Sequence, residues 1–195
     1  MINYFLIVVG VLIFHAVFTY SLLLTSLAKI NPLIFFTKMR EAIIFAFTTS
    51  SSSATMPVTL KTVEEKLGVD KSVSSFCIPL GTTINMDGTA IMQGVATVFI
   101  AQVYQVDLSM MEYLMVIITA TLASIGTAGV PGVGLIMLAM VLQQVGLPVE
   151  GIALIIGVDR LLDMLRTAVN VAGDATISCI VANSENQLSR KDLIS

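Results

Sequence analysis

Charged residues are scarce in this chain, and their scarcity excludes an ordinary soluble domain. Only 12% of its 195 residues are Asp, Glu, Lys or Arg, against about a quarter in soluble domains. Tryptophan is absent, histidine occurs once, and the two cysteines, Cys77 and Cys179, stand apart in apolar segments. This composition argues against a disulfide or a soft-metal site. Hydrophobic residues make up 56% of the chain and the mean hydropathy is +0.93, which predicts an integral membrane protein.

Long uncharged segments predict the membrane-spanning elements. The first 28 residues carry no charge, which exceeds a signal-peptide core, so residues 1–30 are interpreted as a transmembrane helix with His15 as a packing residue. Residues 72–106 form the next span, interrupted by the polar sequence Asn85–Thr89. Residues 150–184 form the last span, and residues 185–195 form a polar tail.

Two further segments predict re-entrant hairpins rather than simple spans. Residues 31–71 contain a run of hydroxyl residues, from Thr48 to Ser53, and residues 107–149 contain the Gly- and Pro-rich sequence from Gly126 to Gly134. Neither sequence continues a helix well. Irregular backbone is tolerated at membrane depth only where protein or a cavity covers it, so each segment is expected to turn back at a covered tip. Paired interruptions of this kind are typical of an inverted structural repeat.

The positive charges predict the orientation of these segments. Eight of the ten Lys and Arg residues lie in loops assigned to one side of the membrane, and the opposite loops contain none. The Ser-rich hairpin should therefore enter from the cytoplasm, the Gly-rich hairpin from outside, and the carboxy-terminus should be cytoplasmic. The predicted fold class is an all-α, multi-pass protein of the cell membrane with two inverted hairpins.

The last span carries charges where lipid disfavours them. Five polar residues at helical spacing share one helix face within roughly 80°: Asp159, Asp163, Arg166, Asn170 and Asp174. Such a stripe marks a substrate or ion pathway. Arg166 suits a carboxylate, which its planar fork binds bidentately, and Asp163 suits an ammonium group, so the pair predicts a receptor for an acidic amino acid. Alternatively, Asp163 and Arg166 pair with each other to permit burial, in a network with Asp159 and Arg160.

Oxygen-bearing groups in the same segments predict a cation site. Asn85, Asp87, Asn170 and Asp174 offer amide and carboxylate oxygens, and backbone carbonyls are released at Gly81, Thr83 and the break at 124–127. A set without sulfur or imidazole suits a hard cation, and Na⁺ is the ion that unwound helices bind in transporters. Protons are the alternative coupling ion, because the same carboxylates can titrate. The chain is not expected to be an enzyme or to bind nucleic acid.

Four ordered motifs resemble the glutamate/aspartate (dicarboxylate amino acid:cation) symporter family. They are Ser50–Thr59, Asn85–Thr89, Ala123–Gly132 and the segment from Asp163 to Asp174. The resemblance covers nearly the whole chain but only the carboxy-terminal half of a family member, and it implies that scaffold helices forming a homotrimer precede it. It also implies symport of glutamate or aspartate with two or three Na⁺ by alternating access. A truncated fragment that binds without transporting is the alternative.

The resemblance further implies roles for individual residues. Asp163 would hold the amino group and Arg166 the side-chain carboxylate, within a substrate site made of Ser50, Ser51, Ser52, Thr89, Val130, Pro131, Gly132, Gly134, Asp163, Arg166, Thr167 and Asn170. Sodium would bind at Gly81, Asn85, Asn170 and Asp174; at Thr83, Met86, Ser124, Ile125 and Thr127; and near Asp87. Family members often carry a second arginine, which is absent here at the corresponding positions, Ser50 and Met164. Whether Arg160 replaces it is open at this point.

Overall fold

The computed structural model describes residues 1–191, which fold into helices joined by short connections. The helices are α1 (Ile2–Ala28), α2 (Pro32–Thr49), α3 (Ser52–Glu65), α4 (Lys71–Ile84), α5 (Asp87–Val103), α6 (Met110–Ile125), α7 (Val133–Gln144) and α8 (Ile156–Ser184), with a short 3₁₀ turn at Val149–Leu154. Within the described part of the chain there is no strand, only one antiparallel bridge between Val69 and Leu188. The predicted all-α class is confirmed. Residues 192–195 of the predicted tail lie outside the described residues.

Helix α1 is continuous but not regular. Two π-helical turns, at His15–Thr19 and Leu24–Ala28, interrupt its α-helical geometry. Its outward face is apolar, with Leu6 and Phe14 both 60% exposed. Among the described helices, α1 alone is both long and apolar enough to cross a membrane, while α6 and α7 are apolar but shorter. A membrane location is therefore suggested by α1.

Helices α2 and α3 form a hairpin whose tip is the Ser-rich segment. Pro32 occupies the first position of α2, where its missing N–H would have no helical partner anyway, and the Asn31 side chain caps that end. Ser50 ends α2 in the left-handed region, with φ of 52°. Ser51 is extended and accepts a hydrogen bond from the Ala54 N–H, which caps α3. Ser51 thus helps to reverse the chain, because its hydroxyl satisfies a backbone N–H that the start of α3 leaves free.

Helices α6 and α7 form a second hairpin, with a Gly-rich connection. Ser109 and Glu112 begin α6 with reciprocal side-chain to backbone hydrogen bonds, a capping box. Helix α6 ends at Gly126, and Gly132 adopts φ of 81°, which favours glycine, just before α7 begins. Both predicted hairpin segments are therefore helix pairs joined by small residues. Their re-entry into a membrane is part of the proposal below.

Helix α8 is the central element of the fold. It packs against α1, α2, α3, α4 and α5, and the second hairpin packs on α5. Its side chains contribute to both hydrophobic cores: Leu162 and Val169 join the core formed with α1, α5, α6 and α7, and Ala175 and Cys179 join the core formed with α2 and α4. The chain between α4 and α5 is unwound at Asn85 and Met86. Helix α8 therefore passes both hairpin tips and this break, which positions its polar stripe beside all three.

Candidate substrate and cation site

The two hairpin tips meet above the middle of α8. The Ser51 hydroxyl donates to the carbonyl oxygen of Gly129 at 2.7 Å, and the backbone N–H of Ser53 donates to the same oxygen at 3.1 Å. No side chain fits at Gly129, because a Cβ there would lie 2.7 Å from the Ser53 Oγ. These contacts close the polar region beneath the tips.

Arg166 lies buried beneath this closure, 1% exposed, between two carboxylates. Its Nη1 donates to Asp159 Oδ1 at 3.0 Å and its Nη2 donates to Asp163 Oδ1 at 2.6 Å. The other carboxylate oxygen of Asp163 accepts from the backbone N–H of Gly132 at 3.1 Å. Asp163 therefore connects the guanidinium to the second hairpin tip. This structure contains the ion pair between Asp163 and Arg166 that was one of the two alternatives from the sequence. Asp159 belongs to the same network, whereas Arg160 is exposed and lies outside it.

A small cavity lies between Arg166 and the tips. Its volume is about 20 Å³, enough for roughly one water molecule, so the site is closed. The residues that line it are Ser50, Ser52, Met86, Thr89, Thr127, Ala128, Gly129, Val130, Gly134, Asp163, Arg166, Thr167 and Asn170. Most of the predicted substrate residues are among them. Ser51 and Gly132 contribute through the tip hydrogen bonds instead. Pro131 is exposed and does not line the cavity.

The second tip also approaches Arg166 through Gly134. A Cβ at Gly134 would lie 3.3 Å from Arg166 Nη2, which leaves little room for a side chain. The fully buried Gln93 donates from Nε2 to the Gly134 carbonyl oxygen at 3.2 Å. Gln93, Gly129 and Asp159 were not assigned to the site from sequence. The contacts of Gln93 and Gly129 are with partners that lie 41 and 78 positions away in the chain, and no local pattern indicated them.

The first predicted sodium group is brought together at the α4–α5 break. Asn85 Nδ2 donates to Asp174 Oδ1 at 3.0 Å, and a Cβ at Gly81 would lie 2.5 Å from the same oxygen. Asn170 Oδ1 accepts from the backbone N–H of Gly88 at 2.8 Å. Asp174 and Asn170 are buried, 2% and 3% exposed. Amide and carboxylate oxygens of α8 thus meet the unwound backbone.

The second predicted sodium group is less complete. Ser124 and Thr127 are buried, and their hydroxyls donate to backbone carbonyls of α6. Thr83 and Ile125 have exposed side chains. Met86 is buried, and its Sδ lies 3.2 Å from the amide nitrogen of Asn170. Residues 1–191 contain no cluster of three or more His, Cys, Asp or Glu suited to a metal ion, so any cation would depend on amide, hydroxyl and backbone oxygens as well.

Asp87, the third predicted cation position, is held by two aromatic residues of α1. His15 Nε2 lies 3.1 Å from Asp87 Oδ2, and the Tyr20 hydroxyl donates to the same oxygen at 3.0 Å. His15 thus makes a polar contact that its interpretation as a packing residue did not include. Tyr20 was not singled out at all, because a tyrosine in an apolar helix gives no signal of a partner 67 positions away.

Taken together, these features define the class of protein. Interrupted helices that bring helix ends, amide oxygens and a buried charge together are typical of the binding sites of secondary transporters. The chain belongs to the sodium:dicarboxylate symporter family, whose model matches residues 1–184. The family resemblance carried by the four motifs is thereby confirmed.

Several curated relatives are similar over almost the whole chain. It is 47% identical to Excitatory amino acid transporter 1 of Rattus norvegicus over 188 residues, which is 96% of this chain and 34% of the relative. It is 47% identical to Excitatory amino acid transporter 3 of Oryctolagus cuniculus over 190 residues, 97% of this chain and 36% of the relative. It is also 47% identical to Excitatory amino acid transporter of Caenorhabditis elegans over 178 residues, 91% of this chain and 35% of the relative. The chain spans about a third of the length of these relatives.

Proposed function

We propose that this chain forms the transport domain of a sodium-coupled symporter for an acidic amino acid, glutamate or aspartate. The observation that carries the proposal is the position of Arg166, a permanently charged group buried beneath both tips and paired to Asp163. A substrate carboxylate bound to Nη2 would replace Asp163 Oδ1. The released Asp163 would then be next to the substrate and could accept its amino group.

Substrate binding and tip movement are coupled in this scheme through Asp163. The same carboxylate accepts from the Gly132 N–H of the second tip, so a substrate that takes up Asp163 alters the closure of that tip. The main carboxylate of the substrate would bind between the Ser50–Ser52 tip and the Val130–Gly134 segment. The amino end of α3 favours an anion there, because helix amino-termini present free N–H groups. Thr89, Thr167 and Asn170 would complete the site.

The charge balance of the site supports cation coupling. Asp87, Asp159, Asp163 and Asp174 are opposed by one buried arginine, and an acidic amino acid brings a further net negative charge. Burying this excess is costly unless cations accompany the substrate. Two or three Na⁺ ions, at the three groups described above, would offset most of it. Protons on the same carboxylates are the alternative means of neutralisation.

The membrane arrangement is part of the same proposal. Residues 1–30, 72–106 and 150–184 would span the cell membrane, and residues 31–71 and 107–149 would re-enter it from the cytoplasm and from outside. The carboxy-terminus would be cytoplasmic. The scaffold of a homotrimer would come from the part of the relatives that this chain does not match. Without such a scaffold the chain would bind substrate but not move it across the membrane, which is the alternative function.

Binding of labelled aspartate to the purified chain in lipid nanodiscs tests the substrate site. Arg166→Ala should abolish binding in saturating Na⁺, whereas Arg160→Ala, which removes an exposed arginine of the same helix, should leave the affinity unchanged. Equal affinities for Arg166→Ala and the unmodified chain would contradict the assignment of Arg166 to the substrate site. Binding that depends on pH but not on Na⁺ concentration would show that protons, and not sodium, are the coupling ion. Uptake into liposomes then separates a symporter from a binding fragment.

A further inference from the structure

The π-helical turn of α1 lies where this helix passes the α4–α5 break. The turn covers His15–Thr19, and the backbone N–H of Tyr20 bonds to the His15 carbonyl oxygen. Residues five apart in an α-helix point about 140° away from each other. A π turn bonds residue i to residue i+5 and so brings the two onto the same side. The rings of His15 and Tyr20 accordingly contact edge to face, 4.9 Å between centroids.

Both rings are directed to one oxygen of Asp87. His15 Nε2 and the Tyr20 hydroxyl lie 3.1 Å and 3.0 Å from Oδ2. An ionised carboxylate only accepts hydrogen bonds, and each of its oxygens has two lone pairs. Two donors therefore fill the hydrogen-bonding capacity of Oδ2. A cation that binds to this oxygen has to displace one of them.

The Tyr20 hydroxyl has a second acceptor within reach. The backbone carbonyl oxygen of Val169 lies 3.2 Å from it, but a phenol carries a single proton and can donate fully to only one acceptor. Tyr20 is 2% exposed, so water does not compete easily. A Cβ at Gly173 would lie 2.6 Å from the Tyr20 oxygen and 2.8 Å from Asn85 Nδ2, which places the hydroxyl among the predicted cation residues.

We propose that the Tyr20 hydroxyl is a displaceable donor that regulates cation binding at Asp87. Without a cation, it donates to Asp87 Oδ2. When Na⁺ binds, the proton turns to the Val169 carbonyl oxygen and frees one lone pair of Oδ2, while His15 stays on that oxygen and keeps the carboxylate oriented. The exchange requires only rotation of the Tyr20 hydroxyl about its C–O bond and no backbone movement. This inference rests on the proposed function, because the cation is the one assigned there to Asp87.

A sodium titration of the 195-residue chain in detergent, followed by thermal unfolding without substrate, tests the inference. Choline replaces Na⁺ so that ionic strength stays constant. Tyr20→Phe removes the competing donor, so half-maximal stabilisation should need about fivefold less Na⁺, the difference between a hydrogen bond to a charged and to a neutral acceptor. Tyr4→Phe is the matched control, because Tyr4 lies buried in the same helix and its hydroxyl has no hydrogen-bond partner among the described residues. Its titration should match that of the unmodified chain.

The outcomes separate the inference from the proposed function. A merely structural role of the hydroxyl predicts an unchanged or weaker response to Na⁺ in Tyr20→Phe, and that result overturns the inference alone. No specific response to Na⁺ in the unmodified chain overturns sodium coupling and the inference with it. Because the effect acts through Asp87, the Tyr20 substitution should leave the Na⁺ response unchanged in an Asp87→Asn background, and a fivefold shift there also contradicts the inference.

Discussion

The two ends of the polar site hold their charges in different ways. At the end proposed to bind substrate, called the substrate end, Arg166 is paired to Asp159 and Asp163, which lie seven and three positions earlier in the same helix. At the end proposed to bind cations, called the cation end, Asp87 contacts residues of α1 that lie 72 and 67 positions away. At the first end, the charge of Arg166 is therefore balanced by carboxylates that α8 itself carries. The second depends on how α1 packs, and so should be more sensitive to substitutions on other helices.

Removing Arg166 should lower the stability of the protein more than any other change at the two ends. Arg166→Ala leaves Asp159 and Asp163 buried without their counter-ion, and breaking a buried pair in this way costs about 3–5 kcal/mol of folding free energy. The measurement is the midpoint of thermal unfolding in detergent, with the exposed Arg160→Ala as the control. If both variants unfold at the temperature of the unmodified chain, the substrate end is not stabilised by its internal ion pairs.

Separating the hairpin tips should have the next largest effect. In Gly129→Ala the new Cβ would meet the Ser53 backbone N at 3.1 Å and the Thr82 carbonyl oxygen at 3.1 Å, which cannot move without moving the backbone. Overpacking of this kind costs about 1–3 kcal/mol, and we expect aspartate affinity to fall about tenfold. Gly126→Ala is the control, because its Cβ would meet nothing within 4 Å and its φ is −91°. Equal losses in both variants would show that closure of the tips is not what is measured.

A smaller effect is expected at the cation end from Gly173→Ala. The new Cβ would crowd the Tyr20 hydroxyl at 2.6 Å and Asn85 Nδ2 at 2.8 Å, and both are side-chain ends that can give way. Strain at Asn85, which bonds Asp174 in the first predicted sodium group, should outweigh any weakening of the Tyr20 donor. Half-maximal stabilisation should therefore need about threefold more Na⁺, from an energetic cost at the low end of overpacking. Gly157→Ala, in the same helix with open space around its Cβ, should leave the titration unchanged. A change in aspartate affinity at saturating Na⁺, without a change in the Na⁺ titration, would contradict the separation of the two ends.

The smallest effect is expected at Asp70, an exposed carboxylate that serves as a reference outside the site. Hydrogen bonds from the Ser72 hydroxyl and the Ser72 backbone N–H hold the pKa of Asp70 below its ordinary value. A lowered folded-state pKa contributes stability above the ordinary pKa, and this contribution is lost as the pH falls through the folded-state value. Asp70→Asn should therefore flatten slightly the decline of the unfolding temperature as the pH falls below about 4, the ordinary pKa of an aspartate. An identical decline in both proteins would show that the hydrogen bonds from Ser72 to Asp70 do not contribute.

The substrate end could largely be predicted from the sequence. Helical spacing alone puts Asp159, Asp163 and Arg166 on one face, and the pairing that the structure contains was one of the two alternatives raised by that spacing. The turn after Thr49 was also predictable in part, since the Ser51 hydroxyl satisfies a free backbone N–H at the start of α3. In each case the interacting groups are close in the chain, so local geometry decides their contact.

The cation end could not be predicted in the same way. Asn85, Asp87 and Asp174 were predicted to supply oxygen ligands, but Tyr20 was assigned no role and His15 was interpreted as a packing residue. An α-helical periodicity places these two residues on different sides, and only the π turn brings them together. A π turn has no reliable sequence signal because it depends on packing against α5 and α8.

The sequence by itself determined the all-helical class, the family, the positions of the turns and the charged stripe of α8. These follow from composition, from helical periodicity and from motifs whose members lie close together in the chain. The tertiary structure alone decided that Gly129 joins the two tips, that Asp163 links Arg166 to Gly132, and that α1 supplies the donors to Asp87. Each of these contacts joins groups that are distant in sequence, and their formation depends on the packing of whole helices around α8.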